Sequence, residues 1–186
     1  IASFWNSIIF HYEELIDKVK NFIPSVKKFY EFKEYFQSAE LDRESIIEIG
    51  FRKLAIHQMS YSGLGVRAGG PIGGKKQESK YKIGCRWNSN YIEKNILKYH
   101  NFFSSFNIFG GCCHNKSYEN ILSEESKNKF IYYLDPPYYL KGKDLYQFYF
   151  QDSDHIKLAR LLKKCKHPWI LSYDVHPFIK SLYDWA

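Results

Sequence analysis

Phe130-Ile131-Tyr132-Tyr133-Leu134-Asp135-Pro136-Pro137-Tyr138-Tyr139 is the stretch that decides the fold. Its first half, Phe130 to Leu134, is a short unbroken apolar run of the kind that fills a buried strand. Its second half is a hard stop. Two consecutive prolines fix φ twice and remove two backbone N–H groups, so no regular element continues through them. The turn carries a carboxylate, Asp135, and an aromatic ring, Tyr138. Ligands of open parallel sheets bind beyond the carboxyl ends of the strands, so this turn lies where chemistry is expected.

Working outward toward the C-terminus, Asp152 is placed to cap a helix running to Cys165, with Ile156, Leu158, Leu161 and Leu162 as its apolar positions. Trp169-Ile170-Leu171-Ser172-Tyr173 is the next apolar strand, and Pro177 to Trp185 the next helix. Strand, helix, strand, helix at this spacing predicts a parallel sheet. Phe130–Leu134 and Trp169–Tyr173 should be neighbours in it, with Asp135 and Asp174 at the same edge. On the N-terminal side, Phe106 to Gly110 reads as a strand and Tyr118 to Leu122 as a short helix. Residues 105–186 are thus expected to form an α/β unit.

The rest of the chain has a different texture. Residues 1–58 read as helical. Trp5, Ile8, Ile9, Tyr12, Leu15, Ile16 and Val19 recur at helical spacing over Phe4–Phe22, and Pro24 ends that run. A second helix starts at Ser25. A third starts near Asp42 and runs toward Met59. Residues 59–104 begin with six glycines between Ser60 and Lys80: Gly63, Gly65, Gly69, Gly70, Gly73 and Gly74. This is too glycine-rich for a helix, and Met59–Tyr61 with Tyr81–Cys85 predict the two strands of a long-tipped β-hairpin. A helix over Ser89–Phe103 follows.

Composition narrows the partners. The 186 residues are 45% hydrophobic and carry a formal net charge of +7. A basic surface attracts polyanions, nucleic acid first among them. No apolar run approaches the ~18 residues of a membrane span, so no membrane partner is expected, and the location read from the chain is cytoplasmic. The four cysteines are Cys85, Cys112, Cys113 and Cys165. Adjacent cysteines rarely ligate one tetrahedral ion and no second pair lies at finger spacing, so no metal is expected. They read as buried free thiols. The chain starts at Ile1 rather than Met and stops inside a predicted helix, so it reads as a piece of a longer protein.

An Asp-Pro-Pro-Tyr turn suits one reaction well. The exocyclic amine of adenine is a poor nucleophile because its lone pair is delocalised into the ring. If the Asp135 side chain and the Pro136 carbonyl accept its two N–H bonds, the nitrogen is drawn toward tetrahedral geometry and its lone pair faces an incoming methyl group. Pro137 completes the rigid turn and Tyr138 can stack on the base. Positioning and electrostatics would carry most of the rate. Such a base must leave the duplex to reach the turn.

Ile131-Tyr-Tyr-Leu-Asp-Pro-Pro-Tyr-Tyr resembles motif IV of the alpha-class, Dam-type adenine DNA methyltransferases. The likeness extends along the chain. It includes His57-Gln-Met-Ser-Tyr-Ser-Gly-Leu-Gly, Ala68-Gly-Gly-Pro-Ile-Gly-Gly, Cys85-Arg-Trp-Asn, Asp154-His155 and Trp169-Ile-Leu-Ser-Tyr-Asp. The resemblance implies S-adenosylmethionine as methyl donor and double-stranded DNA as substrate. It also implies a Rossmann-like mixed sheet, here partial, with an inserted helical and β-hairpin target-recognition domain. A restriction endonuclease of the same system is a possible partner. Asp135, Pro136, Pro137 and Tyr138 would be the catalytic residues, and Ser117 and Tyr118, with Asp135, would border the cofactor. The family's glycine-rich cofactor motif is expected ahead of Ile1 and its closing strands after Ala186, so activity is expected of the full-length product.

Arg67, Lys75, Lys76, Arg86 and Asn88, in and after the glycine-rich stretch, are the expected DNA contacts. Glycine lets backbone approach DNA, and arginine can hold guanine or grip phosphate. Two other readings stay open: a noncatalytic DNA-binding remnant of such an enzyme, and a methylase of another amine, that of cytosine.

Overall fold

The structure, a computed structural model, describes residues 1–38, 45–67, 69–105, 113–114, 116–123, 131–142 and 149–186. It divides into two compact units, Ile1–Asn115 and Lys116–Ala186.

The first unit is helical: α1 (Ala2–Phe10), α2 (Tyr12–Lys20), α3 (Val26–Gln37), α4 (Ile46–Met59), a short 3-10 turn (Gly65–Arg67) and α5 (Ser89–Ser105). Its core gathers Ile8, Leu15, Val19, Phe29, Ile56 and Met59, all at most 1% exposed. The helix predicted over Phe4–Phe22 is two helices, broken at His11, whose φ of −141° and ψ of 36° lie outside helical space. Tertiary contacts override the local pattern here. At the broken turn the Ile8 carbonyl is met by His100 Nδ1 at 3.1 Å, and the His100 ring stacks on Tyr12 at 3.9 Å between centroids. Beside it, α1 and α4 approach at backbone distance. A Cβ added to Gly50 would lie 2.5 Å from Ser7 Oγ, which donates to the Ile46 carbonyl at 3.1 Å.

Ser25 caps α3 as expected, its Oγ accepting from Lys28 N. Ser45 caps α4 by accepting from Glu48 N; Asp42 lies outside the described residues. Asn88 caps α5, its Oδ1 accepting from Tyr91 N at 3.0 Å.

The glycine-rich segment is not the predicted hairpin. α4 runs through Met59, so the first predicted strand loses its first residue to helix and continues as a bridge at Ser60 and a turn at Tyr61. One antiparallel bridge follows, Ser60 with Pro71, flanked by Ile72 N donating to Met59 O and Tyr61 N donating to Gly70 O. Pro71 has no N–H with which to extend a ladder. Residues 81–85 form turns rather than a return strand. Gln77 ties the loop instead. Its Nε2 donates to the carbonyls of Ile72 (2.7 Å) and Gly74 (2.6 Å), and its Oε1 accepts from Ile83 N at 2.7 Å. The cysteines also differ from expectation. Cys85 sits exposed in these turns, and Cys113 and Cys165 are only half-buried; all three are free thiols, and Cys112 lies outside the described residues.

The second unit is α/β: α6 (Tyr118–Ser123), β1 (Tyr132–Leu134), α7 (Asp152–Lys164), β2 (Trp169–Leu171) and α8 (Pro177–Leu182). β1 and β2 are parallel, with Tyr132 opposite Trp169 and Leu134 opposite Leu171. The neighbouring parallel strands expected from the sequence are therefore present, at three residues each. Phe130 and the strand expected over 106–110 lie outside the described residues. α7 buries His155, Leu158, Ala159 and Leu162, the i, i+3, i+4, i+7 stripe of a helix laid on a sheet. Its N-cap is Gln151, one residue before the expected Asp152, and Gln151 N donates to Asp154 Oδ2 at 2.8 Å. The strands are not buried on both faces: Tyr133 and Ile170 are exposed, whereas Tyr132, Leu134, Trp169 and Leu171 are half-buried. Among the described residues, no helix is long and apolar enough to cross a membrane.

Candidate functional site

The turn after β1 is built by two different elements. Prolines 136 and 137 are trans and contribute no N–H. The next two amides with an outside partner, Tyr139 N and Leu140 N, both donate to Asp174, at 3.0 Å to Oδ1 and 2.7 Å to Oδ2. Gly142 N closes the turn onto the Tyr138 carbonyl at 2.8 Å. Gly142 is buried, and a Cβ there would sit 3.4 Å from the Pro137 ring. Within this frame Pro136 is buried, Pro137 is half-buried, and Asp135 is exposed. Tyr138 is 36% exposed, and the Tyr173 ring lies 6.4 Å away between centroids. Ser172 Oγ donates to Asp135 Oδ1 at 2.6 Å.

The sheet edge explains why these groups meet. Ser172 N continues the ladder by donating to Leu134 O at 3.0 Å, which sets Ser172 beside Asp135. In extended chain, alternate residues share a side. Ser172 and Asp174 accordingly reach the turn, while Tyr173 reaches the other way, to His155 Nδ1 at 2.6 Å. His155 is 1% exposed and packs against Tyr139 and Phe150, each at 5.3 Å between ring centroids. Burial pushes its imidazole below the ordinary 6.5, outweighing Asp152, Asp154 and Asp174. Burial likewise pushes the Tyr173 phenol up. The two therefore meet as neutral groups, a rigid support behind the turn.

A cavity of about 270 Å³ opens beside Asp135 and Pro136, walled by Tyr118, Leu134, Phe150 and Leu158 among others. The Tyr118 phenol is pushed up to about 12, first by burial and then by Glu119 and Asp154. Its oxygen is buried with no hydrogen-bond partner among the described residues. Of the residues expected to border a cofactor, Tyr118 and Asp135 share this cavity. Ser117 does not line it. Its hydroxyl caps α6 by accepting from Glu119 N at 3.2 Å and also bonds the Glu119 carboxylate, which Lys157 holds at 2.7 Å. A second cavity, of about 250 Å³, is walled by Tyr139, Leu140, Phe150, Gln151 and Asp152, so Phe150 borders both.

The expected DNA contacts belong to the helical unit. Lys75 and Lys76 are exposed, and Lys75 Nζ lies 5.4 Å from the Tyr30 ring centroid. Arg86 is exposed and directs its guanidinium at the Ser60 and Tyr61 carbonyls, at the long distances of 3.4 and 3.5 Å. It also borders a cavity of about 360 Å³ with Tyr61, Ile72, Tyr81 and Cys85. Asn88 spends its side-chain oxygen on capping α5. Arg67 belongs to the 3-10 turn, and its side chain lies outside the described residues.

Sequence reasoning did not find Ser172, Tyr173 or Gly142 as parts of this site. The signal was present in the first two: they directly follow β2, which pairs with β1. The Gly142 contact required the shape of the turn.

One protein-family model, described as D12 class N6 adenine-specific DNA methyltransferase, matches residues 1–185. No curated protein matches the chain.

Proposed function

The chain belongs to the D12 class of N6 adenine-specific DNA methyltransferases, and on that premise we propose that Asp135-Pro136-Pro137-Tyr138 is the catalytic turn, acting on an adenine swung out of duplex DNA. The observation that carries this reading is the setting of Asp135. It stands exposed at the carboxyl end of a parallel strand, in a turn clamped from the neighbouring strand, at the edge of a cavity.

The residues around that cavity fit part of S-adenosylmethionine. Tyr118 and Phe150 offer ring faces, Leu134 and Leu158 an apolar wall, and Asp135 a carboxylate for a neighbouring positive charge. When bound, S-adenosylmethionine would supply a methyl group made electrophilic by a sulfonium charge, its S–CH3 bond breaking to leave a neutral thioether. The chain's own groups do the rest. Asp135 and the Pro136 carbonyl accept the two N–H bonds of the target amine, turning its lone pair toward the methyl group. Tyr138, partly exposed, stacks on the base. As the new N–C bond forms, the nitrogen becomes cationic and its surplus N–H proton becomes acidic, so Asp135 or water removes it without needing to be a strong base. The cost of taking the base from the stack is a few kcal/mol, met by stacking and by phosphate contacts from the basic helical unit. There, Arg67, Lys75, Lys76 and Arg86 are the proposed contacts, while Asn88 contributes through the start of α5. Cytoplasmic DNA is the substrate pool this activity implies, and an endonuclease of matching specificity is the partner it would accompany.

The test is the identity of the product. The complete protein is incubated with methyl-labelled S-adenosylmethionine and duplex DNA, and the nucleosides are separated. Label in N6-methyladenine is expected. Label in N4-methylcytosine would transfer the site to the cytosine amine, and DNA binding without label would make the protein a noncatalytic remnant.

A further inference from the structure

Resting on the reading of Asp135 as the acceptor for the target amine, we propose that Ser172 and Asp174, at the end of β2, are positioning residues for methyl transfer. Ser172 fixes the rotation of the Asp135 carboxylate, and Asp174 fixes the turn that carries it.

An exposed aspartate is ordinarily free to rotate its carboxylate, whose terminal torsion is broad. At Asp135 that freedom is removed from one side. Ser172 Oγ lies 2.6 Å from Oδ1, and toward a carboxylate a hydroxyl can only donate. Oδ1 is thereby engaged and Oδ2 is left to accept from a ligand. Ser172 is itself held, because its backbone N–H bonds the Leu134 carbonyl, on the residue next to Asp135. The carboxylate is thus referenced to the sheet by one backbone bond and one charge-assisted side-chain bond, the stronger kind.

Asp174 works on the peptide rather than the carboxylate. Both prolines lack an N–H, so the only local backbone bond of the motif among the described residues is the one Gly142 N makes to the Tyr138 carbonyl. Both oxygens of Asp174 receive the amides of Tyr139 and Leu140. This anchors the segment directly after Tyr138 to the same strand end. A misplacement of about 1 Å at a reacting group can cost about 100-fold in rate, so two anchors from one strand have a direct route to the rate without touching substrate.

The experiment compares Ser172→Ala, Ser172→Thr, Asp174→Asn and Asp135→Ala in the complete protein. It reads the single-turnover methyl-transfer rate, the duplex Kd and the thermal midpoint. Ser172→Ala should slow transfer about 10–100-fold with Kd and midpoint unchanged, since the bond it removes is at the surface. Ser172→Thr keeps the hydroxyl and should return to within about threefold of the parent. Asp174→Asn puts a donor where an acceptor is needed and should lower both rate and midpoint. A Ser172→Ala protein with the parent rate, or a Thr variant as slow as Ala, overturns the role of Ser172. An Asp174→Asn protein with the parent rate overturns that of Asp174. If Asp135→Ala retains turnover, the catalytic reading itself falls; if it is inactive while Ser172→Ala and Asp174→Asn are normal, only the positioning roles fall.

Discussion

The turn after β1 and the glycine-rich loop after α4 are both irregular, and both hold residues proposed to meet DNA, yet they keep their shapes by different means. Beyond the local bond from Gly142 N to the Tyr138 carbonyl, the turn is held from far away in sequence. Asp174 reaches it across 35 and 34 residues, and Ser172 across 37. The loop is tied mainly by near neighbours: Gln77 bonds partners three to six residues distant, with Ile72 N on the Met59 carbonyl and the long Arg86 contacts to Ser60 and Tyr61 reaching further. Long-range anchoring fixes a loop to the sheet to which it must be referenced. Local anchoring fixes a loop's own form and leaves its lysines in solvent. The first suits a group that must be placed within a fraction of an ångström of a reacting atom. The second suits a surface that meets a polyanion through charge.

The largest effect is expected behind the turn. His155→Ala removes a side chain that is 1% exposed, its bond to Tyr173 and its packing on Tyr139. A loss of about 3 kcal/mol by chemical denaturation is expected, together with slower methyl transfer. A pH effect accompanies it. The folded imidazole is held below 6.5 by burial, so the unfolded chain binds more protons once the pH drops under that value. Stability should fall from pH 6.5 down to the folded value, and the variant should lose part of that slope. A variant as stable as the parent would remove the rigid support from the account.

A smaller effect is expected in the loop. Gly73 has φ of +82°, and a Cβ there would meet the Tyr81 carbonyl at 2.6 Å. Gly73→Ala should cost about 2 kcal/mol and weaken duplex binding, while the transfer rate at saturating DNA stays at the parent value. Gly142, in the turn, has no positive φ and a nearest contact of 3.4 Å. Its alanine variant should reverse the pattern, with little change in binding and a lower rate. Equal effects on rate from both glycines would erase the distinction.

Smallest is the contribution of single lysines. Lys75→Ala and Lys76→Ala should each reduce the slope of log Kd against log salt by about one, with no change in site preference. Arg67→Ala should instead narrow the gap between cognate and scrambled duplexes, by ~1–3 kcal/mol. An Arg67 variant whose gap is unchanged would take base reading away from this loop.

The same contrast governs what was legible in the sequence. The α/β unit was readable because an apolar run stopped by two prolines has few alternatives, and because the second apolar run follows at crossover distance. Placing them as parallel neighbours put Asp135 and Asp174 at one edge, as found. The glycine-rich loop was misread because glycines permit many turns and local composition cannot say which. A hairpin needs a return strand, and residues 81–85 form turns instead, with the Gln77 side chain bonding Ile72, Gly74 and Ile83. The single helix read over Phe4–Phe22 failed for a related reason: periodicity continues across His11, and only tertiary partners, His100 among them, reveal the break. Ser172 was within reach of the sequence, since it follows the second strand directly, but its bond to Asp135 depends on register, which a three-residue strand does not announce.

On the proposed reading, Asp135 performs chemistry at a site that does not supply the affinity for DNA. It is tested most directly by measuring, on one preparation of the complete protein, single-turnover methyl transfer and duplex Kd for the parent and for Asp135→Ala. Transfer should fall by at least about 1,000-fold, while Kd at fixed salt stays within about twofold. Turnover at the parent rate, or a loss of binding large enough to account for the lost rate, would contradict the account.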